Sequence, residues 1–174
     1  MFNKNKKKEL KYTTASGHQG DGDWIDNCKF TRRFDEADII VFEGGQDISC
    51  SLYGEKRGIH TQTGEHLSAR DLQEIDLYKK SVDNDKLIIS ICRGHQLCAV
   101  LNGASLIQHV NNHSGYHQVK NFDNTTCVTN SIHHQMVNPW KLDKEKYLLL
   151  QWTEGISNTY LNGENQEIEF SLEA

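Results

Sequence analysis

The sequence predicts an α/β protein built on a mainly parallel sheet with helices on both faces. Two apolar runs, in "ADIIVFEGG" and "LIISIC", are each followed by a glycine-containing turn, which is typical of buried parallel strands. Between them, "EHLSARDLQEIDLYKKSV" has the period of an amphipathic helix, with Leu67, Leu72, Ile75 and Tyr78 on one stripe. Strands that alternate with helices favour right-handed crossovers, and hence parallel pairing.

The remaining elements follow this order along the chain. The segment "ELKYTT" is a first strand candidate, and Leu87 to Ile91 predict a strand buried on both faces. Leu97, Val100 and Leu101 then recur at helical spacing until Gly103 ends the helix. Three histidines, His109, His113 and His117, lie at the end of "GASLIQHV" and in the polar stretch after it, and "TTCVTNSIHH" and "KYLLLQWT" are later strand candidates. Ligands of such sheets bind at the carboxyl ends of the strands, where both "EGGQD" and "CRG" fall.

Composition limits the class of protein. The chain has 174 residues, 36% of them hydrophobic and only one a proline, so we expect a single domain over residues 1–174. Its net charge of −5 argues against nucleic-acid binding, and the basic run "NKNKKK" within residues 1–8 is interpreted as a flexible tail. No apolar stretch approaches the roughly 20 residues of a membrane span, and the N-terminus does not resemble a signal peptide, so the predicted location is cytoplasmic.

The five cysteines are an odd number and form no CxxC pair, which predicts free thiols rather than disulfides or a structural zinc site. Cys28, Cys50, Cys98 and Cys127 are interpreted as small core residues. Only Cys92 has a context that indicates chemistry, because it lies between the predicted strand and the predicted helix.

A nucleophile elbow would place Cys92 at a strained strand-to-helix turn, exposed above the sheet. Such a turn needs small neighbours, and Ser90 and Gly94 flank the cysteine at minus two and plus two. The helix N-terminus would favour a thiolate, and its free N–H groups would hold the oxyanion of a tetrahedral intermediate. Spacing alone leaves a second interpretation open, a buried cysteine at an ordinary strand–helix junction.

Five motifs in order distinguish these interpretations. They are Gly44-Gly45-Gln46-Asp47, Tyr53-Gly54, Arg70-Asp71 with Glu74, Ile91 to Gln96, and Ser131 to Gln135. Together they resemble the class I glutamine amidotransferase superfamily, in its gamma-glutamyl-gamma-aminobutyrate hydrolase-like branch of the peptidase C26 type. The resemblance runs from about residue 37 to 172 and implies a flavodoxin-like fold without a cofactor or metal.

The resemblance also implies roles for individual residues. Cys92 matches the nucleophile that attacks a gamma-glutamyl amide, and Gly45 and Arg93 match the positions whose N–H groups form the oxyanion hole. The expected substrate-binding residues are Gly44, Gln96, Ile132, His133, His134 and Gln135. Arg70, Asp71 and Glu74 are expected to be structural, tying their helix to neighbouring loops, and His95 is expected to pack and to hydrogen-bond.

The chain also departs from the family pattern. Family members complete a Cys-His-Glu triad with a late His-Pro-Glu segment, but the only proline here, Pro139, follows Asn138. We therefore expect the sequence to stop just before its general base and terminal strand. Ser90 replaces the usual glycine, which is a minor change. His133 or His134 is an alternative base, and a metal site at His109, His113 and His117 is a weak alternative, because the residues between them are poor helix formers.

Three functional hypotheses follow. The first is cysteine-dependent hydrolysis of gamma-glutamyl amides, with a small-molecule gamma-glutamyl substrate. The second is a glutaminase subunit that delivers ammonia to a partner synthase. The third is a non-catalytic glutamyl-binding domain, which the absence of His-Pro-Glu favours. An incomplete sheet would expose an edge, so we also expect a homo-oligomer or completion by another fragment.

Overall fold

The fold was obtained as a computed structural model that describes residues 9–110, 113–139, 142–153, 156–157 and 170–171. The predicted basic tail at residues 1–8 lies outside these ranges. Four strands form the central sheet: β1 (Leu10–Thr14), β2 (Cys28–Phe30), β3 (Ile39–Phe42) and β4 (Leu87–Ser90). Two α-helices are described, α1 (Ala69–Asp83) and α2 (Arg93–Leu101).

The central sheet is entirely parallel, as predicted, with the strand order β2-β1-β3-β4. Strand β3 lies between two partners, and its residues Ile40, Val41 and Phe42 are 0% exposed. The sequence "IIVF" has no polar position because both of its faces pack against other elements.

The two faces of β3 are covered differently. Ile40 and Phe42 face the main core, in which residues of α1 and α2 pack against them, among them Leu97 and Tyr78. Ile39 and Val41 face the other side, where Tyr12 and the loop residue Ile25 complete a smaller cluster. In the described part of the chain, both α-helices therefore pack on one face, and loop and 3₁₀ segments cover the other.

Strand β4 is less buried than its sequence suggested. Leu87 is 59% exposed and Ile91 is 40% exposed, so the prediction of burial on both faces is wrong. The reason is that β4 pairs with β3 alone among the described residues and forms the edge of the sheet. Hydrophobic composition does not distinguish an edge strand from a central one.

Helix α1 begins with a capping box. The Ser68 hydroxyl accepts from the N–H of Asp71, and the Asp71 carboxylate accepts from the N–H of Ser68. The predicted apolar stripe is partly wrong, because Leu67 and Leu72 are exposed while Ile75 packs on the core. The helix instead buries acidic side chains, which are described with the site below.

The second half of the chain is antiparallel. Strand β5 (Ser105–Ile107) pairs with β8 (Met136–Asn138), and β6 (Gly115–Asn121) lies between β7 (Thr126–Ser131) and β9 (Gln151–Trp152). Two short strands, β10 (Ile156–Ser157) and β11 (Phe170–Ser171), form a separate pair. Strand β6 was missed in the sequence because its mainly polar residues resemble a loop.

The cysteines are free, as predicted, but they are not all core residues. Cys50 and Cys98 are buried, and the half-buried Cys28 packs against the smaller core cluster. Cys127 is exposed on β7, so the core interpretation of this cysteine is wrong. No described helix combines the length and the apolar character needed to cross a membrane.

Candidate active site

The strand-to-helix turn at Cys92 has the geometry expected of an elbow. Cys92 lies between β4 and α2 with φ 51° and ψ −115°, a strained conformation for a residue with a side chain. Gly94 allows this turn, because a Cβ at that position would lie 2.6 Å from the carbonyl carbon of Phe42. The N–H of Gly94 also donates to the carbonyl of Glu43, which fixes α2 against the end of β3.

The glycine pair after β3 faces this turn. A Cβ on Gly44 would lie 3.5 Å from Cys92 Cβ and 3.8 Å from its Sγ, so the loop passes directly beside the thiol. Gly45 has φ +153°, and a Cβ there would collide with the guanidinium of Arg70. Among the described residues, none accepts a hydrogen bond from the N–H of Gly45 or of Arg93. Both donors are thus available to a ligand oxygen.

The side chain of Arg93 is directed away from the cavity into a buried ion-pair network. It is 2% exposed, donates to Asp71 Oδ1 at 2.6 Å and pairs with Glu74. Burial acts to raise the pKa of Asp71, but hydrogen bonds from Ser49 and Ser68, together with Arg93, outweigh burial and lower it. The carboxylate is therefore ionised and paired with the guanidinium.

Arg70 extends this network to the glycine pair. Its Nε donates to Glu74 at 2.7 Å, and its Nη2 donates to the carbonyl of Gly44 at 3.0 Å. As expected for the Arg-Asp-xx-Glu motif, these side chains tie α1 to α2 and to the loop at Gly44. Because Arg93 and Asp71 are both buried, removal of Arg93 would leave Asp71 without its cation.

A cavity of about 810 Å³ contains the predicted site residues. Cys92, Gly44, Gly45 and Gln96 line one side, and the segment Ile132 to Gln135 lines the other. The size is that of a small-molecule site. Arg93 is not among the described lining residues, and the expected role of its N–H group stays a prediction. The lining also includes residues that were not assigned to the site from the sequence, and three of them are polar side chains near the thiol or the histidines: Asp47, Gln62 and His95.

Of these three residues, Asp47 could have been assigned to the site from the sequence. It belongs to the "GGQD" segment at the carboxyl end of β3, where ligands of parallel sheets bind. Its Oδ2 accepts from the N–H of Gln62 at 2.8 Å, and its Oδ1 lies 3.3 Å from His134 Nε2. Gln62 reaches the cavity because of the path of an irregular loop, and hydrophobic periodicity in the sequence does not predict such a path.

The two adjacent histidines have different surroundings. His133 Nδ1 lies 2.8 Å from the carbonyl of Gln135, and this contact makes Nδ1 the donor and leaves Nε2 as the acceptor. Burial lowers the pKa of His133, the neighbouring His117 and His134 lower it further, and the bond to Gln135 acts in the opposite direction. His134 instead has both ring nitrogens near other groups, with Nδ1 3.2 Å from His109 Nδ1 and Nε2 near Asp47.

Gln135 is the most unusual residue of the cavity. Its side chain is 0% exposed, yet within the described part of the chain neither its amide nitrogen nor its amide oxygen has a hydrogen-bond partner. Its backbone carbonyl is engaged by His133 and by Gln96 Nε2 at 3.1 Å. An unpaired buried amide is costly, so this side chain is suited to a ligand that supplies the missing partners.

The histidines of the polar stretch do not lie on a helix. His117 is in β6, and its ring packs 4.5 Å from that of His113, which in turn lies 4.9 Å from the ring of His133. His109 belongs to a different group, stacked on His60 at 4.0 Å. Within the ranges that the structure covers, no group of three His, Cys, Asp or Glu side chains is arranged to hold a metal ion.

Comparisons with known proteins agree with this architecture. Residues 25–139 match the family described as Peptidase C26. The chain is 33% identical over 140 residues to Protein NtpR of Enterococcus hirae, covering 80% of this chain and 56% of that protein. It is 35% identical over 111 residues to a protein of Lactococcus lactis subsp. cremoris named as a glutamine amidotransferase-like YvdE homolog, covering 64% and 56%. The chain thus spans about half the length of these relatives.

A solved structure supports the fold independently. The crystal structure of a glutamine amidotransferase from Thermotoga maritima superposes with a TM-score of 0.58 over 90% of this chain and 73% of that one. The identity is 15%, so this likeness supports the fold alone. It confirms the α/β arrangement predicted from the strand and helix pattern.

Proposed function

Because the chain belongs to the Peptidase C26 family, we propose that it hydrolyses gamma-glutamyl amides through a thioester on Cys92. The observation that carries this proposal is the strained turn of Cys92 beside Gly44, at the start of α2 and inside a cavity of small-molecule size. A residue held in such a conformation at a cavity is typical of a nucleophile.

The reaction would proceed in two stages. Cys92 Sγ attacks the gamma-carbonyl carbon, and the oxygen of the tetrahedral intermediate accepts from the N–H groups of Gly45 and Arg93. The C–N bond breaks, the leaving nitrogen takes the proton that came from the thiol, and the amine departs. Water then adds to the thioester, the C–S bond breaks, and glutamate and the free thiol are formed.

The buried polar groups of the cavity complement a glutamyl head group. An α-ammonium donates hydrogen bonds and an α-carboxylate accepts them, and the unpaired amide of Gln135 has one acceptor and one donor. Asp47 is the carboxylate of this cavity and supports binding of the α-ammonium. The match supports a zwitterionic amino acid as the acyl part of the substrate.

Proton transfer would fall to His133 rather than to His134. The Nδ1 of His133 is committed to the Gln135 carbonyl, so its Nε2 is free to accept a proton, and the lowered pKa keeps the ring neutral near pH 7. His134 Nδ1 lies 3.2 Å from His109 Nδ1, and its Nε2 is buried 3.3 Å from Asp47 Oδ1 without a hydrogen-bond partner among the described residues. This assignment selects between the two alternative bases that the sequence left open.

The test of the proposal is labelling of the intact chain with 6-diazo-5-oxo-L-norleucine, an electrophilic glutamine analogue, followed by peptide mapping. We expect modification at Cys92 that L-glutamine suppresses, and no comparable labelling at Cys127, which is exposed and serves as the matched control. Labelling of Cys127 as fast as Cys92, or no protection by glutamine, would contradict the proposal. Cys92→Ser should abolish both the labelling and any hydrolysis.

A second experiment separates the two histidines. We expect His133→Asn to slow labelling of Cys92 about tenfold or more near pH 7, because general-base assistance contributes at least that much. His134→Asn should instead raise the glutamine concentration needed for protection. Equal labelling rates in wild type and His133→Asn would exclude His133 as the base and leave the nucleophile assignment intact.

A further inference from the structure

The cavity has an apolar rim beside the thiol. Ile91 directly precedes Cys92 and is 40% exposed, and Ile132 on the opposite side is 92% exposed. Both isoleucines line the cavity that contains Cys92. Single exposed apolar residues are common on protein surfaces, but here two of them lie at the opening of one reaction cavity.

The same cavity lacks a cation. Among its described lining residues there is no lysine or arginine, and Asp47 is the carboxylate. The two nearby arginines are occupied elsewhere: Arg93 pairs with buried carboxylates, and Arg70 donates to Glu74 and to a backbone carbonyl. Among the described lining residues, a carboxylate on the ligand's outer part would therefore find no lysine or arginine as a partner.

The position of the Cys92 thiol determines which part of a bound substrate contacts the apolar rim. The glutamyl head is polar and is suited to the buried amide of Gln135 and to Asp47. The scissile carbon must contact Cys92, so the leaving amine extends toward the exposed side of the cavity, where Ile132 lies.

We propose that the preferred leaving group is an uncharged, apolar amine, and that Ile132 selects it. This inference rests on the proposed function, because it assumes that a gamma-glutamyl group is bound at Cys92. The rim then disfavours leaving groups that carry a carboxylate, because no lysine or arginine among the described lining residues pairs with them and because burial against isoleucine would desolvate the charge.

The experiment measures protection of Cys92 from iodoacetamide, so it does not depend on turnover. Three ligands share the gamma-glutamyl group: gamma-glutamyl isobutylamide, L-glutamine and gamma-glutamyl-gamma-aminobutyrate. Burial of one methylene contributes about fourfold in affinity. Because the rim is partly exposed, we expect the isobutylamide to protect at about tenfold lower concentration than glutamine, and the gamma-aminobutyrate derivative to protect least.

Two variants test whether Ile132 sets the leaving-group preference. Ile132→Ser should remove the tenfold advantage of the isobutylamide over glutamine, measured as the ratio of the two protecting concentrations within the same variant. Val128→Ser is the matched control, because Val128 is 64% exposed on β7 and does not line the cavity. Ile132→Lys should improve protection by the gamma-aminobutyrate derivative relative to glutamine.

The outcomes distinguish the two proposals. If all three ligands protect Cys92 but the gamma-aminobutyrate derivative protects best, or if Ile132→Ser keeps the wild-type ranking, then the leaving-group inference is wrong and the proposed function stands. If none of the three ligands protects Cys92 in the wild-type chain, then gamma-glutamyl binding itself is refuted, and the inference is refuted with it.

Discussion

The two walls of the cavity are held in place by different forces. The wall of β3, β4 and α2 is fixed by backbone contact at Gly94 and by the buried ion pairs of Arg93, both complete without a ligand. The wall between β7 and β8 has histidine rings, an exposed Ile132 and the unpaired amide of Gln135. The comparison indicates a reactive wall that is preorganised and a recognition wall that a ligand completes.

The largest effect is expected from the preorganised wall. Arg93→Met should destabilise the protein by about 3–5 kcal/mol, because Asp71 would remain buried without its cation and Glu74 would keep only the partly exposed Arg70. Urea unfolding measures this change. The matched control is Arg33→Met, since Arg33 pairs with Glu36 at the surface with its side chain 73% exposed. If both variants shift the urea midpoint equally, the buried network is not what holds this wall.

The second prediction concerns the contact between α2 and β3. Gly94→Ala should cost about 3 kcal/mol, because the new methyl group would meet the backbone of Phe42, which cannot rotate away. Gly20→Ala is the control, since a Cβ there meets no atom within 4 Å. Thermal unfolding of the two variants tests the difference, and an unchanged melting temperature for Gly94→Ala would contradict the close approach.

The recognition wall should be the pH-sensitive one. His113 is 6% exposed, and burial, with His133 and His117 nearby, lowers its pKa from 6.5 to about 4. Between these two pH values the unfolded chain binds a proton that the folded chain does not bind. The free energy of unfolding should therefore fall as the pH decreases through this window, by on the order of 2–3 kcal/mol.

Urea midpoints between pH 7.5 and 4 measure this dependence. In His113→Gln, the decrease in the free energy of unfolding that comes from this histidine should disappear, because the glutamine side chain does not titrate. A variant that loses stability on acidification as steeply as the wild type would show that another group is responsible.

The smallest effect is expected at a position that the sequence pattern placed in the core. Leu72 is 51% exposed on α1, so Leu72→Ala should change stability by no more than about 0.5 kcal/mol. Ile75→Ala, one turn further along on the packed face, should cost about 2 kcal/mol. If both variants lost the same free energy of unfolding, the apolar stripe predicted for α1 would be supported instead.

These differences show what the sequence could predict. The parallel sheet and the turn at Cys92 follow from local patterns, since an apolar run, a small-residue turn and a helical period are each readable in a short window. The edge position of β4 and the acidic buried face of α1 depend on which elements meet in space. The partner of Asp71 is Arg93, 22 residues further along the chain, and no periodicity indicates that distance.

The candidate site was predictable to a similar degree. Cys92, Gly44, Gly45, Gln96 and the segment 132–135 line one cavity as the motifs suggested. Asp47, Gln62 and His95 were not assigned to it, and the different hydrogen bonding of His133 and His134 could not be anticipated, because it depends on backbone carbonyls and loops. Residue type identifies candidates for chemistry, whereas tertiary contacts decide their roles.

Arg93 and Cys92 are neighbours in the chain, but the Arg93 side chain is buried in ion pairs, whereas Cys92 lines the cavity. A library of substitutions at both positions can be scored separately for cellular abundance and for activity. We expect the two scores together to distinguish these neighbouring residues. Substitutions at Cys92 should preserve abundance and abolish activity, whereas those at Arg93 should lower both scores together. A screen of activity alone would count the two residues as equivalent, although the role proposed for Cys92 is chemical and the ion pairs of Arg93 maintain the fold.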